Sequence, residues 1–244
     1  MRLFGLIGYP LSHSFSKKYF DAKFIQEGIQ EAYFENYSIE NIALLENILK
    51  NPDLKGLAVT IPYKRAVLEY LDTVSDSVQE MGACNCVKIE DGKYLGFNTD
   101  IIGFEKSFTK LWLPQHQQAL ILGTGGAASA VAFALKKLNI PYRFVSREKD
   151  PEGKKMGYEE LNETVLTEYQ IVINCSPLGT YPKIEEAPPI PYQYVNRNHY
   201  FFDLVYNPAE TKFLYLAKQQ GAIVQNGYEM LTLQAEENWA IWNS

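Results

Sequence analysis

Cysteine and histidine are scarce in this sequence, with three of each among 244 residues. Cys84, Cys86 and Cys175 form an odd, sparse set. Such a set suits a reducing compartment better than a disulfide-stapled secreted scaffold. His13, His116 and His199 are scattered, so the roughly four ligands of a zinc site are missing and no metal is expected. Small buried side chains are the simpler role for the cysteines. Positive charge is also in deficit: Lys+Arg 23 against Asp+Glu 29 gives a net charge of −6. That balance excludes whole-face attraction to nucleic acid or an anionic membrane, although a local basic pocket stays compatible with it. The opening Met-Arg-Leu-Phe-Gly shows no signal-peptide pattern, and a cytoplasmic protein is expected. No long apolar run occurs either. Leu111 to Leu135 lacks Asp, Glu, Lys and Arg, but holds Pro114, His116 and the Gly123, Gly125, Gly126 cluster. A membrane-spanning helix needs roughly 20 mostly apolar residues without such breaks.

What is present is a globular composition, 46% hydrophobic and 21% charged. At about 100–200 residues per domain the length allows one large domain or two small ones. Strand-like runs lie at Leu3–Ile7, Ala32–Tyr37 and Gly56–Ile61, with helical spacing at Ser16–Glu27, Ile39–Leu49 and Arg65–Leu71. Cys84–Ile89 and Tyr94–Phe97 flank Glu90-Asp91-Gly92-Lys93, a hairpin signal. The alternation restarts after Asp100. Strands are expected at Gln118–Leu122, Tyr142–Val145, Ile171–Asn174, Phe201–Val205 and Ala222–Val224. Helices are expected from the glycines to Leu138, at Thr211–Gln219 and at Met230–Trp242, and a loop at Glu185–Asn198. The fold class is α/β, two α/β domains with a mostly parallel sheet in each half.

Ala119-Leu120-Ile121-Leu122-Gly123-Thr124-Gly125-Gly126-Ala127-Ala128 reads as strand, glycine turn and helix start. It matches G-x-G-x-x-A: a tight turn, close backbone approach to a pyrophosphate, and close helix packing. A helix N-terminus there offers N–H donors to phosphate. A merely structural glycine turn is the alternative. After the next strand comes Ser146-Arg147-Glu148-Lys149. Arg147 favours the 2′-phosphate of NADP, whereas Glu148 repels it or holds the ribose hydroxyl of NAD.

In the first half, polar residues fall where strands or turns end. Ser14 and Ser16 can offer hydroxyls to a carboxylate, or one of them can cap the following helix. Thr60 and Lys64 close another strand, although a lone lysine is commonly solvated surface. Asn85 sits between small residues, and Asp100 is either a ligand-facing carboxylate or a helix cap. Carboxyl ends of strands in an open α/β sheet face the ligand crevice. Hydroxyls, an amide, an ammonium and a carboxylate there suit a small polyhydroxylated acid. Lys64 with Asp100 can move the proton that accompanies hydride transfer.

These segments, in order along nearly the whole chain, resemble the shikimate dehydrogenase family. They are His-Ser-Phe-Ser (13–16), Val-Thr-Ile-Pro-Tyr-Lys (59–64), Gly-Ala-Cys-Asn (82–85), Asn-Thr-Asp (98–100), Gly-Thr-Gly-Gly-Ala (123–127), Asn-Cys-Ser-Pro-Leu-Gly (174–179) and Asp-Leu-Val-Tyr-Asn-Pro (203–208). The resemblance implies a substrate domain at 1–102, completed by a helix at 229–244, and a Rossmann domain at 103–228. It implies NADP-dependent, reversible oxidation of shikimate to 3-dehydroshikimate. Ser14 and Ser16 would hold the carboxylate. Thr60, Lys64, Asn85, Asp100 and Gln234 would surround the ring hydroxyls, and Tyr206 would also face substrate. Lys64 would accept the proton, assisted by Asp100. Gly123, Thr124, Gly125, Gly126, Ala127, Ser146 and Arg147 would bind the cofactor, with Leu204 and Gly227 beside the nicotinamide.

Departures from the family pattern are Ser146-Arg147-Glu148 for Asn-Arg-Thr, Ile101 for a glycine and Thr180 for a methionine. Glu148 keeps NAD open as the cofactor. The other readings are an NAD-using quinate/shikimate dehydrogenase, another Rossmann oxidoreductase acting on a different hydroxy acid, and a catalytically silent metabolite-binding protein. Expected partners are a small-molecule substrate, with no nucleic acid and no membrane, in a monomer or homodimer.

Overall fold

The computed structural model describes residues 1–11, 14–147 and 155–244. Its chain divides into two compact units, Met1–Thr99 with Gln234–Ser244, and Asp100–Leu233. The first holds β1 (Arg2–Gly8), α1 (Phe15–Gln26), β2 (Ala32–Ser38), α2 (Leu45–Leu49), β3 (Leu54–Val59), β4 (Thr73–Val74), α3 (Asp76–Met81), β5 (Cys86–Glu90) and β6 (Lys93–Phe97). The sheet order is β2-β1-β3-β5-β6-β4. This sheet is mostly parallel, with β5 alone running against the other strands, antiparallel to both β3 and β6. The cause is local. Asp91 (φ 50°) and Gly92 (φ 75°) are both left-handed, and such a two-residue turn joins only antiparallel strands.

The expected helix over 39–49 is shorter in the structure. Ile39 N–H is held by Gly8 C=O at 3.2 Å, and Asn41 Oδ1 accepts from Ala43 N at 3.0 Å. The chain therefore turns into a 3-10 segment at Ile42–Leu44 before α2 begins. The Arg65–Leu71 helix is a 3-10 turn over Ala66–Tyr70.

The first sheet is covered on both faces. One face of the sheet packs Leu3, Ile7, Leu57, Val59 and Val87 with Leu45, Val67 and Val78. The other packs Phe4, Leu6, Phe34 and Ala58 under Phe20 and Phe24 of α1 and Ala235 and Trp242 of the last helix, α8 (Tyr228–Trp242). Trp242 stacks on Phe4 with centroids 5.0 Å apart, and its Nε1 donates to Val87 C=O at 3.0 Å. A Cβ on Gly56 would collide with the Trp242 indole, so the glycine makes room for the ring.

The second unit contains α4 (Asp100–Phe108), β7 (Ala119–Leu122), α5 (Gly126–Lys137), β8 (Tyr142–Ser146), β9 (Lys155–Gly157), α6 (Glu163–Glu168), β10 (Ile171–Asn174), β11 (Tyr200–Asp203), α7 (Lys212–Gln219), β12 (Ile223–Gln225) and the start of α8. The order is β12-β11-β10-β7-β8-β9, and every pair is parallel. The order reverses at β7, the position at which open parallel sheets bind ligands beyond the strand carboxyl ends. Leu120, Leu122, Val145, Val172 and Phe201 pack against α6 and α7 through Leu166, Phe213 and Leu214. On the opposite face Phe104 meets Phe202 edge-on at 5.2 Å, and Phe108 stacks on Tyr200 at 5.2 Å. Among the described residues no helix is long and apolar enough to cross a membrane.

Trp242→Ala should open a cavity over Gly56 and remove the indole N–H bond to Val87 C=O. The expected loss is about 3–5 kcal/mol, read as a lower urea midpoint at unchanged m-value.

Candidate active site

The first unit gathers its polar segments at one end of its strands. β6 is antiparallel to β5 and so parallel to β3, which brings the carboxyl ends of β1, β3 and β6 and the amino end of β5 together. Backbone bonds fasten them. Thr60 N donates to Ile7 O at 2.9 Å, Val59 N to Asn85 O at 2.8 Å, and Asn85 N to Phe97 O at 3.1 Å. Cys84 N donates to Lys64 O at 2.7 Å, drawing the lysine's turn to the start of β5. Thr60, Lys64 and Asn85 are thereby tied to one end of the sheet, where Ser14 and Ser16 follow β1.

Ser14 occupies the N-cap position of α1, yet its side chain makes no capping bond. Its Oγ is buried with no hydrogen-bond partner among the described residues. A buried hydroxyl left unpaired costs about 1–3 kcal/mol, so the capping alternative fails and the position is suited to an incoming polar group. Ser16 lies half-buried in the first helical turn. Ser12 and His13 lie outside the described residues.

Asn85 is held by its neighbour Thr99. Thr99 N donates to Asn85 Oδ1 at 2.7 Å, and Asn85 Nδ2 donates to Thr99 Oγ1 at 3.1 Å. Thr99 Oγ1 in turn donates to Asn238 Oδ1 at 2.7 Å, and Asn238 Nδ2 donates to Gln234 Oε1 at 3.4 Å. Gln234 thus joins Asn85 through two buried residues that the sequence reading did not single out. Their signal was legible. Gln234 and Asn238 are two amides at i and i+4, which share one helix face, on a helix with Ala235, Trp239 and Trp242 packed in the core. Asp100 opens α4 directly after Thr99 and is buried.

In the second unit the glycine turn separates two requirements. Gly123 has φ 109°, the left-handed region that favours glycine, and lies against the Cys175 backbone, where a Cβ would be 3.4 Å from the carbonyl carbon. Gly125 has φ −76° and caps α5, and a Cβ there would meet nothing within 4 Å. Neither backbone nor packing requires this glycine, and the space before it is open. Thr124 and Gly125 are exposed, with Gly126 and Ala127 in the first turn of α5. Leu204 and Gly227 come together, because a Cβ on Gly227 would collide with Leu204 C=O. Tyr206 is half-buried two residues further on, and burial raises its phenol pKa. Ser146 ends β8 opposite Gly157, and the exposed Arg147 sits near enough to Tyr158 to oppose the rise that burial gives that phenol. Glu148 and Lys149 lie outside the described residues.

A buried carboxylate organises the strand ends of this unit. Asp203 Oδ1 accepts from Asn174 Nδ2 and Val205 N, each at 3.0 Å, and Oδ2 accepts from Thr211 Oγ1 at 2.5 Å. Asn174 Oδ1 accepts from Ser176 N at 3.0 Å and Ser176 Oγ at 2.6 Å. One carboxylate therefore fixes the turns after β10 and β11. No group of three His, Cys, Asp or Glu side chains among the described residues is placed to hold a metal.

Residues 6–87 match the model of the shikimate dehydrogenase substrate binding domain. A shikimate dehydrogenase (NADP(+)) of Clostridium beijerinckii is 38% identical, with 99% of this chain and 92% of that protein covered. The chain belongs to the shikimate dehydrogenase family. The shikimate 5-dehydrogenase of Thermus thermophilus, crystallised with NADP(H) and shikimate, matches with a TM-score of 0.87 at 29% identity, covering 99% of this chain and 93% of that one. A 5-ketofructose reductase of Gluconobacter matches with a TM-score of 0.82 at 27% identity, covering 99% and 92%. The family's two-unit α/β architecture is the one found in this chain.

Burial, outweighing three donors, pushes the Asp203 carboxyl of this family member from 3.8 up to about 6. The folded state therefore holds the proton more tightly than the unfolded state. The associated stability is present below about pH 4 and is lost as pH rises to about 6, a change of roughly 3 kcal/mol. Asp203→Asn should remove that dependence. Urea unfolding at pH 4.5 and pH 7 should show wild type losing ground to the variant as pH rises, and parallel profiles would refute the assignment.

Proposed function

We propose that this chain is an NADP-dependent dehydrogenase that reversibly oxidises the 3-hydroxyl of shikimate to 3-dehydroshikimate. The observation that carries the reading is the buried hydroxyl of Ser14, which has no hydrogen-bond partner among the described residues, at the end of the sheet where Thr60, Lys64 and Asn85 are also fastened. Ser14 and Ser16 donate to the substrate carboxylate. Thr60, Asn85, Gln234 and Tyr206 bind ring oxygens. Lys64 takes the hydroxyl proton in oxidation and returns it in reduction, with Asp100 orienting the reacting hydroxyl and balancing the ammonium charge. Residues 1–102 with 229–244 form the substrate half and 103–228 the cofactor half.

The open space at Gly125 fits a dinucleotide, whose pyrophosphate needs backbone approach and the N–H groups of Gly126 and Ala127. Gly123 makes the turn and Thr124 borders it. Ser146 and Arg147 hold the 2′-phosphate, and Leu204 and Gly227 bound the nicotinamide. When bound, the nicotinamide supplies the hydride acceptor or donor. The free cysteines and the acidic balance support a cytoplasmic enzyme, monomeric or homodimeric.

Initial rates with shikimate and quinate, each with NADP and NAD, test the proposal. The expected result is the highest kcat/KM with shikimate and NADP. A preference for NAD would overturn the cofactor assignment, and no reduced cofactor with shikimate would overturn the substrate. Lys64→Ala and Asp100→Asn should each lower kcat at least about 100-fold while the unfolding midpoint holds. An unchanged rate would remove that residue from the mechanism.

Gly125→Ala should fold, because a Cβ there meets no atom of the described residues within 4 Å. It should nevertheless raise the KM for NADP at least about tenfold, a loss of about 1.4 kcal/mol in binding. An unchanged cofactor KM would show that the open space is not the pyrophosphate site.

A further inference from the structure

Asn238 is buried at 1% exposure on α8, one turn beyond Gln234. Its place in the hydrogen-bond chain gives the chain a direction. Thr99 N–H is a donor that cannot reverse, and it holds Asn85 Oδ1 at 2.7 Å. Asn85 Nδ2 must then be the atom directed at Thr99 Oγ1, 3.1 Å away. The threonine hydroxyl has a single proton. Asn238 Oδ1 receives it at 2.7 Å, a separation typical of O–H···O bonds and shorter than the usual ~2.9 Å of N–H···O bonds. With that proton directed at Asn238, Thr99 Oγ1 stays an acceptor for Asn85. Without Asn238, the proton turns to Asn85 Oδ1, 3.2 Å away, and competes with the contact that orders the amide.

The other half of Asn238 acts on Gln234. Its Nδ2 donates to Gln234 Oε1 at 3.4 Å, so the oxygen of that amide is turned toward the helix and its nitrogen away from Asn238. The same residue thus sets the orientation of both amides that the functional reading places on the substrate.

We propose that Asn238 is a positioning residue: through Thr99 it fixes the Asn85 amide, and through its own nitrogen it turns Gln234, so that both present N–H donors to oxygens of the substrate. This inference rests on the functional reading above. Asn238 touches no reacting atom in it and acts through its neighbours.

The test combines kinetics with a measurement that needs no turnover. Asn238→Ala should raise the KM for shikimate about fivefold or more, with kcat and the KM for NADP within about twofold, the pattern of lost uniform binding. Thr99→Val should raise that KM as well, and the double variant should fall short of the product of the two single effects, because both act through the Asn85 step. In the ligand-free protein, the side-chain amide resonance of Asn85, assigned by its loss in Asn85→Ala, should shift and exchange faster in Asn238→Ala. Should that variant not fold, Thr99→Val breaks the relay from its other side and is read in the same way. An unmoved Asn85 resonance overturns the relay whether or not shikimate is turned over. A moved resonance with wild-type KM values, or additive effects in the double variant, overturns the substrate role. A folded wild type that does not turn over shikimate refutes the functional reading and this substrate role together, while the amide result still decides the relay.

Discussion

The chemistry of the first unit depends on one backbone pairing, Val59 N–H to Asn85 C=O at 2.8 Å. It seats the amino end of an antiparallel strand beside the carboxyl end of a parallel one. A sheet of purely parallel strands presents only carboxyl ends at its ligand side, and each must return through a crossover. Inserting β5 lets a tight turn at Asp91-Gly92 bring β6 back at once. The segments 82–85 and 98–100 then meet at the same end of the sheet as the segments after β1 and β3. Slipping that pairing by one residue would exchange the faces of every side chain in β5. Cys86 would leave its place beside Phe4 and Trp242, and Asn85 would leave Thr99.

The second unit solves a related problem by different means. Its strands are all parallel, and their carboxyl ends need turns held apart for a ligand. Glycine conformation provides the first turn, at Gly123. The turns after β10 and β11 are held by the Asn174–Asp203–Thr211 cluster. A buried carboxylate with three donors is a costly organiser, which is why burial moves its protonation toward neutrality. Its benefit is geometric, because two oxygens converge on three chain segments that no apolar side chain could align as well.

Much of this architecture was legible from sequence because local signals agreed with the final fold. The glycine turn, the Asp91-Gly92 hairpin and the apolar runs of β1, β7 and β10 each carry their own cause. α4 was missed although Ile101, Phe104 and Phe108 mark a buried helical face; Asn98 and Asp100 drew attention to chemistry instead. β4, β9 and α3 have two, three and six residues, too short for periodicity to show. Within the site, Ser14 and Gly125 carry motif signals, but their distinguishing properties are negative ones: among the described residues the hydroxyl has no partner and a Cβ on the glycine has no neighbour. Such properties exist only once the chain is folded. Thr99 and Asn238 lay hidden because each is an ordinary residue whose importance comes from a partner distant in the chain.

The last helix gives the order of synthesis a particular meaning. Trp242 fills the space over Gly56, and Ala235 joins the same core, while the other core residues there come from the first ninety-nine positions. A ribosome works from the amino end, so the unit begun first waits longest for its final pieces. The intervening unit has all its sequence before those pieces exist. The nascent first unit therefore carries an apolar face covered only in part, by α1, throughout translation of the second, a period of exposure to non-native contacts.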